Sequence, residues 1–572
     1  MEWRSTQVPA SVARRLQEGL GIGRVSAELL AQRGFENLEE ARLFLHPRLA
    51  DLGDPYALGN VKPAAERLIR ALRSGESISI LGDYDVDGVT STALLVDALR
   101  AFGANPHFFV PLRLVEGYGL TEATIERVLQ EGNPSLFIAL DCGTNSVSEV
   151  AALRARGIDV IIVDHHRSKD AIPSDCLLVN PHVDGGPDVP WRQLCTVGLV
   201  FKLVHGLVKR LREEGDPVAE GFKLKEYLDF VAMGTVADLV PLLRENRILC
   251  RHGLRRLANS SRRGINALFE VSGLQLGQDI QPPDISFRLG PRINASGRLD
   301  DAVEPVKLFL NDDYHACLEA ARKLDAFNRE RELIEREMVQ QACQWVEELD
   351  EGRETIVVAG CDWHPGVVGI VAGKLARDYG RPCIALGRDG DSFVGSGRSS
   401  CGINLQKILQ RCDRFLGEWG GHPMAVGVTL DATHLSAFRE AFENEVAAER
   451  ARIRAEAPAL EVNVWVQPRE LTDSLLAELD ALRPFGEGNP EPIIGVSGML
   501  LRNPPSAFGR GNLRFRVSRG GGPPLSVVGW RMGENPPPVG QRLDFAGKFN
   551  RHTFNGTAIP QLELVAWRRS QP

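Results

Sequence analysis

At 572 residues the chain is several times the usual domain size of ~100–200 residues, so three or four domains are expected, and 43% hydrophobic with 25% charged residues excludes a disordered or fibrous protein. Ten cysteines without a C-x-x-C pair weigh against zinc ribbons, iron–sulfur clusters and a disulfide framework. The net charge of −8 speaks against a nucleic-acid partner until it is divided: Leu501 to Pro572 hold 11 Lys and Arg against 3 Asp and Glu, or +8, leaving −16 for residues 1 to 500.

Met1 to Leu20 mix Arg14, Arg15 and Glu18 among apolar residues, and no apolar run reaches membrane-spanning length, so a soluble, cytoplasmic chain without a membrane partner is expected. Residues 1 to 50 are assigned to a helical segment. Residues 77 to 182 repeat a short apolar run, a sharp polar cluster and a helix-like stretch, the pattern of β-α units in a parallel sheet. The runs are Ser77 to Leu81, His107 to Pro111, Leu136 to Leu140, Asp159 to Val163 and Leu177 to Asn180, with helices over Thr90 to Phe102 and Val147 to Arg156 between them. An α/β domain over 51 to 312 follows from this. Asp313 to Asp350, rich in Glu, Arg, Ala and Leu without Pro or Gly, reads as one long connecting helix. A second α/β lobe over 353 to 456 opens with Thr355 to Ala359, carries glycine-rich turns at Gly395 to Arg398 and Gly420 to Gly427, and closes with the helix Leu435 to Arg452. From 457 the pattern changes to short alternating strands, as in Asn512 to Arg519, which predicts a small β-barrel with a cationic face.

The chemistry concentrates at strand ends, where open α/β sheets bind their ligands. Gly82-Asp83-Tyr84-Asp85-Val86-Asp87-Gly88 sets three carboxylates on alternate positions after a strand, and a divalent cation would keep such crowded carboxylates ionised. An EF-hand loop is excluded because its twelfth position is Leu94 and the motif follows a strand. Asp141-Cys142-Gly143 and Asp164-His165-His166 each follow a further apolar strand. An isolated aspartate there is more often a helix cap, but adjacent histidines after a buried strand need polar partners that Val and Ile cannot supply. Asp238 lies in the otherwise apolar Gly234 to Leu242, where an unpaired charge is costly. Asp83, Asp85, Asp87, Asp141, Asp238 and the two histidines form an oxygen and imidazole set without thiolates, better suited to two Mn²⁺ or Mg²⁺ ions than to structural zinc.

In order and spacing, D-Y-D-V-D-G, D-C-G, D-H-H and G-T-V-A-D-L-V-P-L resemble the four motifs of the DHH phosphoesterases. That resemblance implies metal binding by Asp85, Asp87, Asp141, His165 and Asp238, with Asp83 as a further ligand or close support. For His166 it implies a role beside the scissile phosphate, as ligand or proton-transfer group.

Val110 to Arg113 with Glu116 to Leu120, Arg292 to Leu299, and Trp363 to Gly369 are similar to the RecJ family of single-strand exonucleases within that class. Gly395 to Ser399 and Gly420 to Ala425 look like the substrate motifs of a DHH-associated (DHHA1) domain, and the barrel resembles an OB-fold. Physically, Ser396 and Arg398 offer a hydroxyl and a guanidinium for a terminal phosphate, although a tight turn with an exposed arginine fits the same residues. The resemblance adds Arg113, Arg292, Arg298 and His422 as substrate contacts. Arg514, Arg516, Arg519, Arg542, Lys548 and Arg551 would form the electrostatic track, while Phe508, Phe515, Phe549 and Phe554 could stack on bases or fill the barrel's core. The implied activity is 5′ to 3′ exonucleolytic release of mononucleotides from single-stranded DNA in repair and recombination, with a single-strand DNA-binding protein and a helicase as partners. The rival readings are a nanoRNase or cyclic-dinucleotide phosphodiesterase, against which the basic barrel argues, and a non-catalytic replication scaffold, against which the complete ligand set argues.

Overall fold

Strand-forming and helix-forming runs alternate along the first half of the chain, and the computed structural model shows how they assemble. It describes residues 2–112, 116–117, 119–168, 171–183, 185–299, 302–349, 352–452, 459–509, 511–519, 524–554 and 557–570. Arg113 and Tyr118 lie outside the described residues. Among the described residues no helix is long and apolar enough to cross a membrane.

The chain opens with a short strand, β1 (Glu2–Ser5), and three helices over Ala10–Leu20, Arg24–Gln32 and Leu38–Leu45. The first lobe is a five-stranded parallel sheet of β2 (Ile78–Gly82), β3 (His107–Phe109), β4 (Leu136–Leu140), β5 (Asp159–Val163) and β6 (Leu177–Val179), in the order β3-β2-β4-β5-β6. Its central strands are buried on both faces, which is why they read as unbroken apolar runs. One face packs on a large core that includes the helices Val86–Ala101, Thr196–Glu213 and Leu228–Ala237; the other packs on the helices Glu122–Glu131 and Val147–Ala155.

The helix Tyr314–Leu349 belongs to two cores. Cys317, Ala321 and Leu324 complete the first lobe's core, whereas Met338, Ala342 and Val346 pack into the second lobe. That lobe is a mixed sheet of β7 (Ile356–Gly360), β8 (Cys383–Asp389), β9 (Ser392–Arg398), β10 (Trp419–His422) and β11 (Ala425–Asp431), ordered β10-β11-β9-β8-β7. Here the expected glycine turn at Gly395 to Arg398 is corrected, because these residues form the second half of β9. The glycines serve close packing: a Cβ on Gly395 would lie 2.1 Å from the Ala385 carbonyl oxygen, and one on Gly397 would lie 2.6 Å from both Ile384 and Val426. Gly420 to Gly427 does make a reversal, the β10–β11 hairpin.

β12 (Ala459–Val462) pairs in parallel with β1, and β13 (Val464–Val466) leads into the barrel. Its strands β14 (Ile494–Leu501), β16 (Asn512–Ser518), β17 (Leu525–Gly529), β18 (Arg542–Phe554) and β19 (Thr557–Arg569) pair in the ring β14-β18-β19-β17-β16, closed by β14–β16, and β15 (Ser506–Phe508) extends from β16. Residues 1 to 50 are not separate from it. Leu16, Leu29 and Leu30 share one core with Leu475, Ile494, Phe515 and Phe545 of the C-terminal unit. Buried Arg247, on the first-lobe helix Arg244–Ala258, donates to the carbonyls of Phe44 and Ala481 and so ties the N-terminal helices and the C-terminal unit to the first lobe.

Candidate metal centre

The sheet order explains why motifs far apart in sequence meet. β2, β4 and β5 are adjacent, and Asp83, Asp141 and Asp164 each follow the last residue of one of them. The ladder continues one rung further: the backbone N–H groups of Asp83, Asp141 and Asp164 donate to the carbonyls of Leu140, Val163 and Val179 at 3.2, 3.0 and 3.1 Å. All three carboxylates are thereby fixed at the same level, beside the point where the sheet grows in opposite directions from β2. Asp141 has a φ of 65°, a left-handed conformation that a non-glycine residue adopts at a cost and that recurs at functional sites.

Asp85 caps the helix Val86–Ala101 by accepting from the N–H groups of Asp87 and Gly88 at 2.9 and 3.1 Å. Within that helix, Asp87 turns its carboxylate to a second helix N-terminus and accepts from Thr196 N at 2.7 Å and Val197 N at 2.9 Å. Thr196 Oγ1 donates to Asp141 Oδ1 at 2.8 Å. Asp238 arrives from the end of the helix Leu228–Ala237, which can approach because a Cβ on Gly234 would sit 2.8 Å from Asp87 Oδ1. His165 Nε2 reaches into the group, 3.5 Å from Asp141 Oδ1, 3.5 Å from Asp238 Oδ2 and 4.0 Å from Asp87 Oδ2.

The predicted cluster therefore converges, and three ligand-sized sets overlap: Asp83, Asp85 and Asp141; Asp87, His165 and Asp238; and Asp141, His165 and His166. Fit to divalent cations is supported by buried atoms that no protein group satisfies. Asp83 Oδ1, His165 Nε2 and Asp238 Oδ2 are inaccessible to solvent and lack a hydrogen-bond partner. Burial, reinforced by neighbouring carboxylates, pushes Asp83 and Asp87 well above the usual carboxylate range. It moves Asp85 and Asp141 up to about 6 and Asp238 up to about 8, with the Asp141 charge adding to the burial effect on Asp85 and Asp238. Burial and the neighbouring His166 charge bring His165 down to about 4, so its imidazole is neutral and available as a ligand.

Asp164 behaves differently from its neighbours. Although buried, it is held well below the ordinary range by His166 and Thr144. Its Oδ1 meets His166 Nδ1 at 2.7 Å, and its Oδ2 accepts from Thr144 Oγ1 at 2.6 Å and Thr144 N at 3.1 Å. Burial opposes protonation of His166, but Asp164 overrides it and carries the imidazole up to about 10. Asp164 was given no role of its own in the sequence, and Thr144 and Thr196 were not singled out there. Only Asp164 carried a signal, its place beside the two histidines.

The remaining candidates are distributed differently. Arg298 Nη1 donates to the Gly366 carbonyl at 2.7 Å, joining the Arg292–Leu299 motif to the Trp363–Gly369 motif across the lobes. A Cβ on Gly369 would lie 3.1 Å from Arg398 and 3.2 Å from Ser396, so that motif also abuts β9. His422 is placed at the same sheet end as Arg398 by the pairings His422–Ala425 and Ala425–Arg398. Arg292 is engaged elsewhere: it pairs with Asp325 on the long helix at 2.9 Å and donates to the Arg288 carbonyl at 2.6 Å. On the barrel, Arg514 and Arg516 are exposed on alternate positions of β16, and Arg542 is exposed at the start of β18. Arg519 is folded onto the Ser497 carbonyl, Lys548 is paired with Glu491, and Arg551 is paired with Asp480. Phe515 and Phe549 are core residues, while the Phe554 side chain lies outside the described residues. Half-exposed Trp530 was not anticipated; it meets Phe508 edge-on at 5.8 Å, and Arg514 lies 5.0 Å over the Phe508 ring.

A parallel sheet whose strand ends gather carboxylates and imidazole into overlapping ion-sized sets defines a metal-dependent phosphoesterase. Its first lobe matches the DHH family N-terminal domain over residues 77–235, its second the DHHA1 domain over 353–448, and its barrel the RecJ OB domain over 462–566. The chain is 36% identical to the single-stranded-DNA-specific exonuclease RecJ of Bacillus subtilis (strain 168), over 99% of this chain and 70% of that protein. To the RecJ of Escherichia coli (strain K12) it is 35% identical, over 93% and 94%. The crystal structure of RecJ in complex with Mn²⁺ from Thermus thermophilus superposes with a TM-score of 0.83 at 29% identity, covering 100% of this chain and 80% of that one. The chain belongs to the RecJ family.

Proposed function

We propose that the chain is a single-stranded-DNA-specific 5′ to 3′ exonuclease that releases mononucleotides by two-metal-ion hydrolysis. The observation that carries this reading is the set of buried, unpartnered ligand atoms on Asp83, His165 and Asp238 within overlapping clusters that share Asp141 and His165. Asp83, Asp85 and Asp141 would hold one Mn²⁺ or Mg²⁺ ion, and Asp87, His165 and Asp238 the other. Such a pair supplies a water of lowered pKa and stabilises the attacking and leaving oxygens of an in-line displacement.

The chain's own residues prepare the site. Asp85 and Asp87 are aimed by helix N-terminal amides, and Thr196 fixes the rotamer of Asp141. Asp164 holds His166 by Nδ1 and keeps the imidazole protonated, so that the ring can act as a proton donor beside the scissile phosphate. Arg298 from the first lobe and Ser396, Arg398 and His422 from the second bind the strand end, with Arg113 as a further contact, and Arg514 and Arg516 guide the strand along the barrel. A role in DNA repair and recombination, with a helicase and a single-strand DNA-binding protein as partners, accords with an enzyme that needs unwound substrate.

Degradation of 5′-phosphorylated single-stranded DNA, duplex DNA and dinucleotides in Mn²⁺ or Mg²⁺ tests the proposal. Mononucleotides should accumulate from the long single strand and not from blunt duplex. Preferential cleavage of dinucleotides would instead identify a nanoRNase-like enzyme.

A further inference from the structure

Beside Asp238 the surface combines apolar side chains with two arginines. A cavity of ≈ 510 Å³ lies between the catalytic lobe, the second lobe and the segment entering the barrel, and its walls include Leu239, Phe287, Ile370, Phe485, Arg298 and Arg331. Three features separate it from an ordinary crevice. Leu239, next to the proposed ligand Asp238, is 66% exposed at a φ of 58°, so the backbone is strained to present an alkyl group to solvent. Phe287 is 78% exposed on a π-helical turn, Ile285–Leu289, whose end residues are fully buried. A rigid support thus holds one aromatic ring in water. Arg298 and Arg331 also line the cavity and bring positive charge beside its apolar walls.

A slot with apolar walls, one projecting aromatic face and two arginines, one residue away from a proposed metal ligand, has the chemistry of a nucleotide site. Aromatic faces stack on any base, and arginines suit the adjoining phosphates. The volume falls within the ~300–1,000 Å³ of small-molecule sites. We infer that this cavity takes one unpaired base of the strand being cut, with Phe287 as its stacking face and Leu239 as a wedge against the neighbouring base. The inference rests on the exonuclease reading and adds a residue set that fixes the distance between a gripped base and the scissile phosphate. A base in a duplex is stacked and paired on both sides and cannot enter, so the slot also contributes to strand selectivity.

The test combines Phe287→Ala with substrates carrying one abasic nucleotide, moved stepwise through the first eight positions of a 5′-phosphorylated single strand. Phe287 is exposed, so the substitution should leave thermal stability unchanged, and Phe287→Trp should retain function. Wild-type protein should show KM raised roughly 10-fold at one abasic position, the size of one lost base–aromatic stack. Phe287→Ala should show that loss on the intact strand and no further loss at that position. Hydrolysis of bis(p-nitrophenyl) phosphate, which has no base, should be the same in both proteins. An effect of Phe287→Ala below twofold, or one that adds to the abasic loss at every position, overturns the inference while leaving the exonuclease reading intact. A wild-type protein that cleaves bis(p-nitrophenyl) phosphate but no DNA strand overturns both.

Discussion

In the catalytic lobe, Asp83, Asp87, Asp141 and Asp164 are at most 2% exposed, whereas on the barrel Arg514 and Arg516 stand in solvent on the outer side of a strand. Both regions are charged, but the charge is maintained in different ways. Burying a carboxylate among like charges is unfavourable unless a cation completes the site, so each buried group depends on its neighbours and the cluster acts as a unit. An exposed guanidinium is already solvated, and its attraction to a phosphate is modest, additive and screened by salt. Damage to the first region should therefore be abrupt, and damage to the second gradual.

The sharpest test of this contrast is Asp141→Ala. Losing a metal-assisted step worth several kcal/mol, at about 1.4 kcal/mol per decade, should reduce kcat on single-stranded DNA by roughly a thousandfold or more. Retained Mn²⁺-dependent activity would break the proposed centre and revive the scaffold reading. A smaller loss, about 10–100-fold, is expected for Asp164→Asn, because it would disorder His166 without removing a candidate ligand. If Asp164→Asn equalled Asp141→Ala, the distinction between ligand and support would collapse.

Stability should report the same dependence without any turnover. Asp85 and Asp141 titrate near 6 and Asp238 near 8, above an unfolded value near 3.9, so the folded state favours their protonated forms. Their contribution is present below the unfolded pKa and is lost as pH rises through about 6 to 8. His165, lowered to about 4, works in the opposite direction and only below its ordinary value. The metal-free protein should thus melt at progressively lower temperature between pH 5 and 8. Mn²⁺ at 100 times its Kd should restore about 2.7 kcal/mol of apparent stability at the upper end. Differential scanning fluorimetry with and without chelator measures this, and a pH-independent melting temperature would contradict the assigned burial. The smallest effect belongs to the barrel: Arg514→Ala with Arg516→Ala should weaken single-strand binding only several-fold at moderate salt. The same pair should reduce the slope of log K against log salt by ~0.7 per contact. A collapse in kcat from that pair would erase the contrast.

The contrast also governs what could be read from the sequence. Asp83, Asp141 and Asp164 were legible because each terminates an apolar run, and parallel strands bring such ends together whatever intervenes. The helix Leu435–Arg452 was legible from its composition, and Phe515 from strand alternation. Contacts made between distant segments were not. Thr144 and Thr196 are ordinary threonines until the fold sets them beside Asp164 and Asp141, and the pairing of Arg292 with Asp325 joins segments 33 residues apart. The strand containing Gly395 and Gly397 resembled a turn because the backbone and side-chain atoms that require its glycines come from β8 and β11.

The core shared by Leu16, Leu29 and Leu30 with the barrel bears on how the protein is made. These helices leave the ribosome tens of seconds before β14 at ~5–20 residues per second, so their apolar faces must wait while both lobes of the nuclease are synthesised. Closure of the barrel then follows synthesis of both lobes and buries Leu16, Leu29 and Leu30. A nascent chain interrupted between the second lobe and the barrel would carry the assembled metal-centre residues while leaving these three residues uncovered, a combination that quality-control proteases can recognise.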